Sequence, residues 1–135
     1  MWKRVLLVGS ILLFLSGCSM QTNEREKVRD LEYNILKEQE IPADLSRILE
    51  EKRQEAFKLT FEEEGALYLC VGYGEQETGG YSIAVDELYL TDDAVHVSTS
   101  LLGPDITGQK SGAGKPTTPY IVIKTELLDK TVLYE

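Results

Sequence analysis

Between residues 28 and 135 the apolar positions follow two periods, and the helical one is confined to a single segment. Ile41, Leu45, Ile48, Leu49 and Ala56 repeat at the spacing of one buried helical stripe. Pro42 sits where a first helical residue loses no hydrogen bond, Asp44 falls in the first turn, and Lys52 and Arg53 fall near the end. This predicts a helix over 42–55 docked on a sheet. Elsewhere the pattern is that of strands. Leu31, Tyr33, Ile35 and Leu36 predict a strand over 31–37, and Phe57, Leu59 and Phe61 alternate before the acidic turn Glu62 to Gly65. Leu67 to Tyr73 is apolar on both faces, as in a central strand. Tyr81, Ile83 and Val85 alternate, and Leu88 and Leu90 resume out of phase, which predicts a β-bulge near Asp86-Glu87. A turn at Thr91 to Ala94 leads to Val95, Val97, Thr99 and Leu101 on one face, and Tyr120 to Lys124 and Thr131 to Tyr134 supply two more strands. The expected class is α+β: a mainly antiparallel sheet or sandwich of about seven strands with one amphipathic helix.

The first 27 residues have neither pattern. Lys3 and Arg4 precede an apolar run from Val5 to Leu15, closed by Leu15-Ser16-Gly17-Cys18. That order is a secretory signal peptide ending in a bacterial lipobox. As a helix the run rises only about 16 Å, short of the roughly 30 Å hydrocarbon core, so a membrane-spanning anchor is the weaker reading. Small residues at Ser16 and Gly17 admit a peptidase, and the Cys18 thiol accepts a diacylglyceryl group whose two chains suffice for stable anchoring. The expected layout is a signal peptide at 1–17, a lipidated polar tether at 18–27 and one domain at 28–135. The protein would be held through Cys18 on the extracytoplasmic face of a cell membrane.

Charge narrows the partners. The whole chain is −9, and loss of Lys3 and Arg4 with the leader leaves 12 basic against 23 acidic side chains, or −11. Nucleic acid is therefore not an expected partner, because its binding rests on Lys and Arg neutralising phosphates. With Cys18 consumed by lipid, Cys70 has no disulfide partner, and its apolar neighbours predict a buried inert thiol. His96, the single histidine, alternates with Val95 and Val97 and is expected to face solvent. A zinc site or a serine triad would lack its remaining members. Gly108 and Gly114 enclose five residues instead of the four of a P-loop, and Pro116 follows Lys115. Gly72-Tyr73-Gly74 likewise lacks the third glycine of a dinucleotide fingerprint. No catalytic residue, cofactor or metal is expected.

Glycine and proline concentrate in two loops, Gly72 to Tyr81 and Gly103 to Pro119. Long loops without elements of their own are commonly functional, and these two would meet if their flanking strands are neighbours. In Thr78-Gly79-Gly80-Tyr81 the glycines permit positive φ, and Tyr81 either packs inside or presents its ring to a partner. The candidate partner-binding residues are Thr78, Gly79, Gly80 and Tyr81, assisted by Pro104, Gly112, Gly114 and Tyr120.

Val71-Gly72-Tyr73-Gly74 followed by Thr78-Gly79-Gly80-Tyr81, then Gly103-Pro104 and the strand opening Pro119-Tyr120-Ile121-Val122-Ile123, resembles the C-terminal domain of the PrcB family, protease complex subunits of bacteria. The resemblance covers roughly residues 67–124. It implies a noncatalytic lipoprotein that assists or stabilises an extracytoplasmic protease, and it carries over no catalytic residue. Thr78 to Tyr81 and Gly112-Ala113-Gly114 are also similar to two loops of chagasin-type cysteine-protease inhibitors, which implies an alternative role as a loop-wedge inhibitor. Gln76-Glu77 replaces the Asn-Pro of that motif, and the tryptophan of its third loop has no counterpart after Trp2.

Overall fold

The computed structural model describes residues 27–104 and 114–135. The leader, Cys18 and Gly112 lie outside the described residues. Eight strands, one α-helix and one 3-10 turn (Glu38–Glu40) follow in the order β1 Arg29–Asp30, β2 Asn34–Ile35, α1 Ala43–Lys52, β3 Ala56–Glu63, β4 Ala66–Tyr73, β5 Ser82–Leu90, β6 Ala94–Leu102, β7 Tyr120–Glu126 and β8 Thr131–Tyr134. They form two four-stranded sheets, ordered β1-β5-β6-β8 and β2-β7-β4-β3. Every pairing is antiparallel except that of β6 with β8, which is parallel. The α+β class holds, with the strands dominant.

Alternation decides what each face covers. Leu67, Leu69 and Val71 of β4 and Ile121 and Ile123 of β7 meet Leu88, Leu90, Val95 and Val97 of the other sheet, and together they form the core between the sheets. The opposite face of β4 and β7 carries Ala66, Tyr68, Cys70 and Val122, and α1 seals it with Leu45 and Leu49. Strand β4 is thus buried on both faces, as its unbroken apolar run predicts. Leu45 and Leu49 are fully buried, and each contributes about 1.5–3 kcal/mol.

Local details follow the residue types. Glu64 and Gly65 both take positive φ, 48° and 78°, the two-residue turn that matches strand twist between β3 and β4. The bulge falls between Val85 and Glu87, and it returns Leu88 and Leu90 to the core. Helix α1 is shorter than the periodicity predicts. Pro42 is its cap residue, whose carbonyl accepts the first helical bond from the Ser46 amide at 2.9 Å. Ala56 belongs to β3, not to the stripe, because pairing with Tyr73 of β4 captures it. Of the predicted strand over 31–37 only Asn34–Ile35 is strand, as β2, while β1 at Arg29–Asp30 precedes the predicted span and lies in the other sheet. Leu31 is drawn into the core, so the chain leaves one sheet there and joins the other at Asn34.

Candidate functional site

The Gly72–Tyr81 loop and the described ends of the Gly103–Pro119 loop lie at one end of the sandwich. Gly72 of β4 pairs with Tyr120 of β7, and Ser82 of β5 pairs with Leu102 of β6, so the strands feeding the loops are neighbours in each sheet. An isolated bridge joins the loops directly. The Gln76 amide donates to Thr117 O at 2.7 Å and the Thr117 amide donates back at 3.0 Å. Thr117 Oγ1 then donates to Thr78 O at 2.8 Å. The Gln76 side-chain amide donates to Tyr73 O at 3.1 Å, which folds the first loop onto its own strand.

The candidate residues occupy different parts of this end. Thr78 is half-buried, Gly79 is buried, and Gly80 is exposed with φ 88°. Tyr81 is half-buried, its ring resting near Gly103. Pro104 is half-buried, and Gly114 is exposed with φ 81° and open space around it. Tyr120 stands on the helix side of its sheet, packed against the second core. The Arg53 guanidinium lies 5.1 Å from its ring centroid while donating to Thr118 Oγ1 at 2.7 Å and Glu50 at 2.7 Å. Burial raises the Tyr120 phenol above its ordinary range, and Arg53 opposes that shift. Leu36, Glu38, Ile41, Arg53, Thr118, Tyr120 and Val122 line a groove of about 320 Å³ there. The structure therefore joins Thr78 to the second loop and sets Tyr120 on the helix side.

The glycines before the loop have packing reasons. A Cβ on Gly72 would lie 2.2 Å from the Phe57 ring, so the ring takes the space a side chain would fill. Gly74 has φ 78°, and a Cβ there would stand 3.0 Å from the Ala56 amide nitrogen. Val71-Gly72-Tyr73-Gly74 is thereby fitted to the start of β3.

Some contacts carry no signal in local sequence. The Tyr73 and Thr99 hydroxyls hydrogen-bond at 2.6 Å across the core, tying β4 to β6 beside the loops. His96 is buried instead of solvent-facing. Its ring stacks on Tyr89 at 4.7 Å, Nδ1 meets Glu135 at 2.7 Å and Nε2 meets Thr91 Oγ1 at 3.1 Å. Alternation does place it opposite Val95 and Val97, but Tyr89 and Glu135 cover that face. Cys70 is buried as expected, and desolvation pushes its thiol up to about 12, which keeps it protonated and unreactive. Among the described residues no three of His, Cys, Asp and Glu converge as metal ligands.

The match that decides the relationship falls on β4 to β7, the strands that carry both loops. Residues 67–126 match the family model described as PrcB C-terminal. The chain is PrcB-like over that span. No curated protein and no solved structure matches it. The PrcB-like span takes in β5, β6 and β7 whole and all of β4 but Ala66, together with both loops. Helix α1, β3 and β8 lie outside it and pack against its faces.

Proposed function

We propose that this chain is a noncatalytic lipoprotein, anchored through Cys18 on the extracytoplasmic face of a cell membrane, that binds a protein partner and so assists or stabilises a protease complex. The carrying observation is the PrcB C-terminal match over residues 67–126, and the protease-complex role is what the resemblance of the Val71–Ile123 segment to that family implies. The leader and the Leu15-Ser16-Gly17-Cys18 step support the placement. The side chains whose acidity is most strongly perturbed, Cys70 and Tyr134, are packed into the cores. Burial of this kind suits packing better than catalysis. The loop end built from Thr78, Gly79, Gly80, Tyr81, Pro104 and Gly114 is the proposed contact region.

Two measurements test the reading. Mass spectrometry of the mature N-terminus should find Cys18 with a diacylglyceryl adduct, and Cys18→Ser should abolish both the adduct and membrane retention. Affinity capture of the full chain from a solubilised membrane fraction should then retain a protease whose activity or lifetime falls when this chain is deleted. Retention of an initiator methionine sinks the placement. Unchanged extracytoplasmic proteolysis in the deletion sinks the role.

A further inference from the structure

Strand direction sorts the connections of the sandwich into two opposite ends. The Val28 amide donates to Leu90 O at 2.7 Å, so the segment after Lys27 joins the fold at the last residue of β5. The Thr78–Tyr81 loop leads into Ser82, the first residue of the same strand. Strand β5 is nine residues long, so about 26 Å separates the two points. The turns after β3, β5 and β7 all lie at the Val28 end, where the Arg29–Glu126 ion pair at 2.9 Å ties one sheet to the other. Glu64, Asp92, Asp93 and Asp129 crown these turns. Basic groups beside them are engaged: Arg29 by Glu126, Lys27 by Asp30 at 2.9 Å, and Lys130 by Asp92 O at 2.7 Å.

We propose that the domain stands on its Val28 end, with the Thr78–Tyr81 loop turned away from the bilayer, so that the loop meets the partner about 25–60 Å out from the lipid surface. The inference rests on the lipoprotein and protein-binding reading above and names the part of the partner that is met: an extracytoplasmic domain, not a membrane-spanning segment or a loop flush with the headgroups. Length and charge carry it. Cys18 lies ten residues before Val28, and a chain of that length spans at most about 33–36 Å. Setting the Thr78–Tyr81 loop on the bilayer would lift Val28 about 26 Å above it and draw the linking residues out to about three-quarters of that limit. A chain drawn out so far gives up much of its conformational freedom. Laying the domain flat costs in another way. The acidic excess of the mature chain would then come within a Debye length, about 8–10 Å, of anionic headgroups. The upright stance incurs neither cost, and it keeps the tethered end and the contact region apart by the whole length of β5.

Energy transfer tests the stance on the lipidated full chain, held in vesicles of phosphatidylcholine and phosphatidylglycerol that carry a headgroup acceptor dye. The donor dye is placed on Asp129→Cys, at the Val28 end, or on Glu77→Cys, beside Thr78. Both positions are exposed, each change removes one acid, and Cys70 is buried. The expected rate of transfer is at least threefold greater from residue 129 than from residue 77. Equal rates, or a greater rate from 77, overturn the stance and leave the lipoprotein reading standing. Protein that stays in solution and shows no transfer from either position overturns the anchoring, and the proposal with it. The height of the contact is read in cells making the full chain with benzoylphenylalanine in place of Glu77. A cross-link to a different protein is expected, and peptide mapping should place it in an extracytoplasmic domain of that protein. A cross-link to lipid or to a membrane-spanning segment overturns the proposal. Absence of any cross-link to another protein overturns the contact itself, and the protein-binding reading of the loop, whatever the transfer rates show.

Discussion

The Tyr134 hydroxyl crosses from one sheet to the other and donates to the carbonyl of Leu59, 2.8 Å away. The Thr60 hydroxyl sits 2.7 Å from the phenolic oxygen of Tyr134. One phenol thus ties β8 to β3, whose strands are edges of separate sheets.

That tie gives the fold an alkaline limit. Burial pushes the Tyr134 phenol from its ordinary 10.0 up to about 12, while the hydrogen bond from Thr60 works the other way. An unfolded chain releases the proton near pH 10 and the folded chain holds it until about 12. The contribution is therefore complete below pH 10 and is lost as pH rises toward 12. Tyr134→Phe should cost about 0.5–1.5 kcal/mol at neutral pH and flatten the fall in urea-midpoint between pH 10 and 12. Cys70 shifts in the same direction and is common to both proteins, so the comparison isolates Tyr134. Equal slopes for the two proteins would contradict the assignment.

Gly72 and Phe57 form a second dependent pair. A methyl at residue 72 would meet the Phe57 ring at 2.2 Å, and the ring belongs to the helix-side core. Gly72→Ala should therefore destabilise by about 1–3 kcal/mol, as overpacking does. In a Phe57→Ala background the same change should cost little, and chemical denaturation of the four proteins of the cycle measures the coupling. Additive costs would mean that the ring is not the obstacle.

How much of this was legible in sequence depends on how local the cause is. The unbroken run Leu67 to Val71 gave away β4 because burial on both faces leaves no polar position. The phase slip at Asp86-Glu87 placed the bulge because one extra residue reverses every later side chain. The switch of sheets at Leu31 left no mark, since a strand that changes partner keeps the same alternation. His96 was misjudged for a related reason: period two assigns it a face, and only Glu135, 39 residues on, decides whether that face is wet. At the loops, glycine and proline marked the two segments, while their meeting was conditional on neighbouring strands, a condition that the registers of β4 with β7 and β5 with β6 meet. Yet the Gln76–Thr117 bridge depends on tertiary register, which no local composition encodes.

The bridge itself is testable. Thr117→Val keeps the shape of the side chain and removes the donor to Thr78 O. The expected loss is about 0.5–1.5 kcal/mol, with faster amide exchange at Gln76 and Thr117 and none at Leu69 or Ile123 in the core. Uniform acceleration across the protein would show that the loops unfold only with the whole.

Cys70 should behave as a silent thiol. In full-length Cys18→Ser it is the sole cysteine, fully buried, with its proton held to about pH 12. Iodoacetamide at pH 8 should modify it only at the rate of global opening, so alkylation should accelerate with urea in step with unfolding. Rapid modification of the native protein, unaffected by low urea, would place the thiol at the surface.

His96 carries the last prediction, because it separates a covered sheet face from a solvent-facing strand. Its ring is stacked between strands on Tyr89 and holds Glu135 and Thr91 through its two nitrogens. Removing it leaves the Thr91 hydroxyl and the Glu135 carboxylate without that partner and opens a gap under β8. His96→Ala should cost about 1–3 kcal/mol, against less than about 0.5 for an exposed strand position. Because Glu135 follows directly on Tyr134, the loss should appear first as faster amide exchange over Thr131 to Tyr134. His96→Gln retains one polar contact and should recover part of the loss. If both variants melt with the unmutated protein, Glu135 does not hold β8 in place.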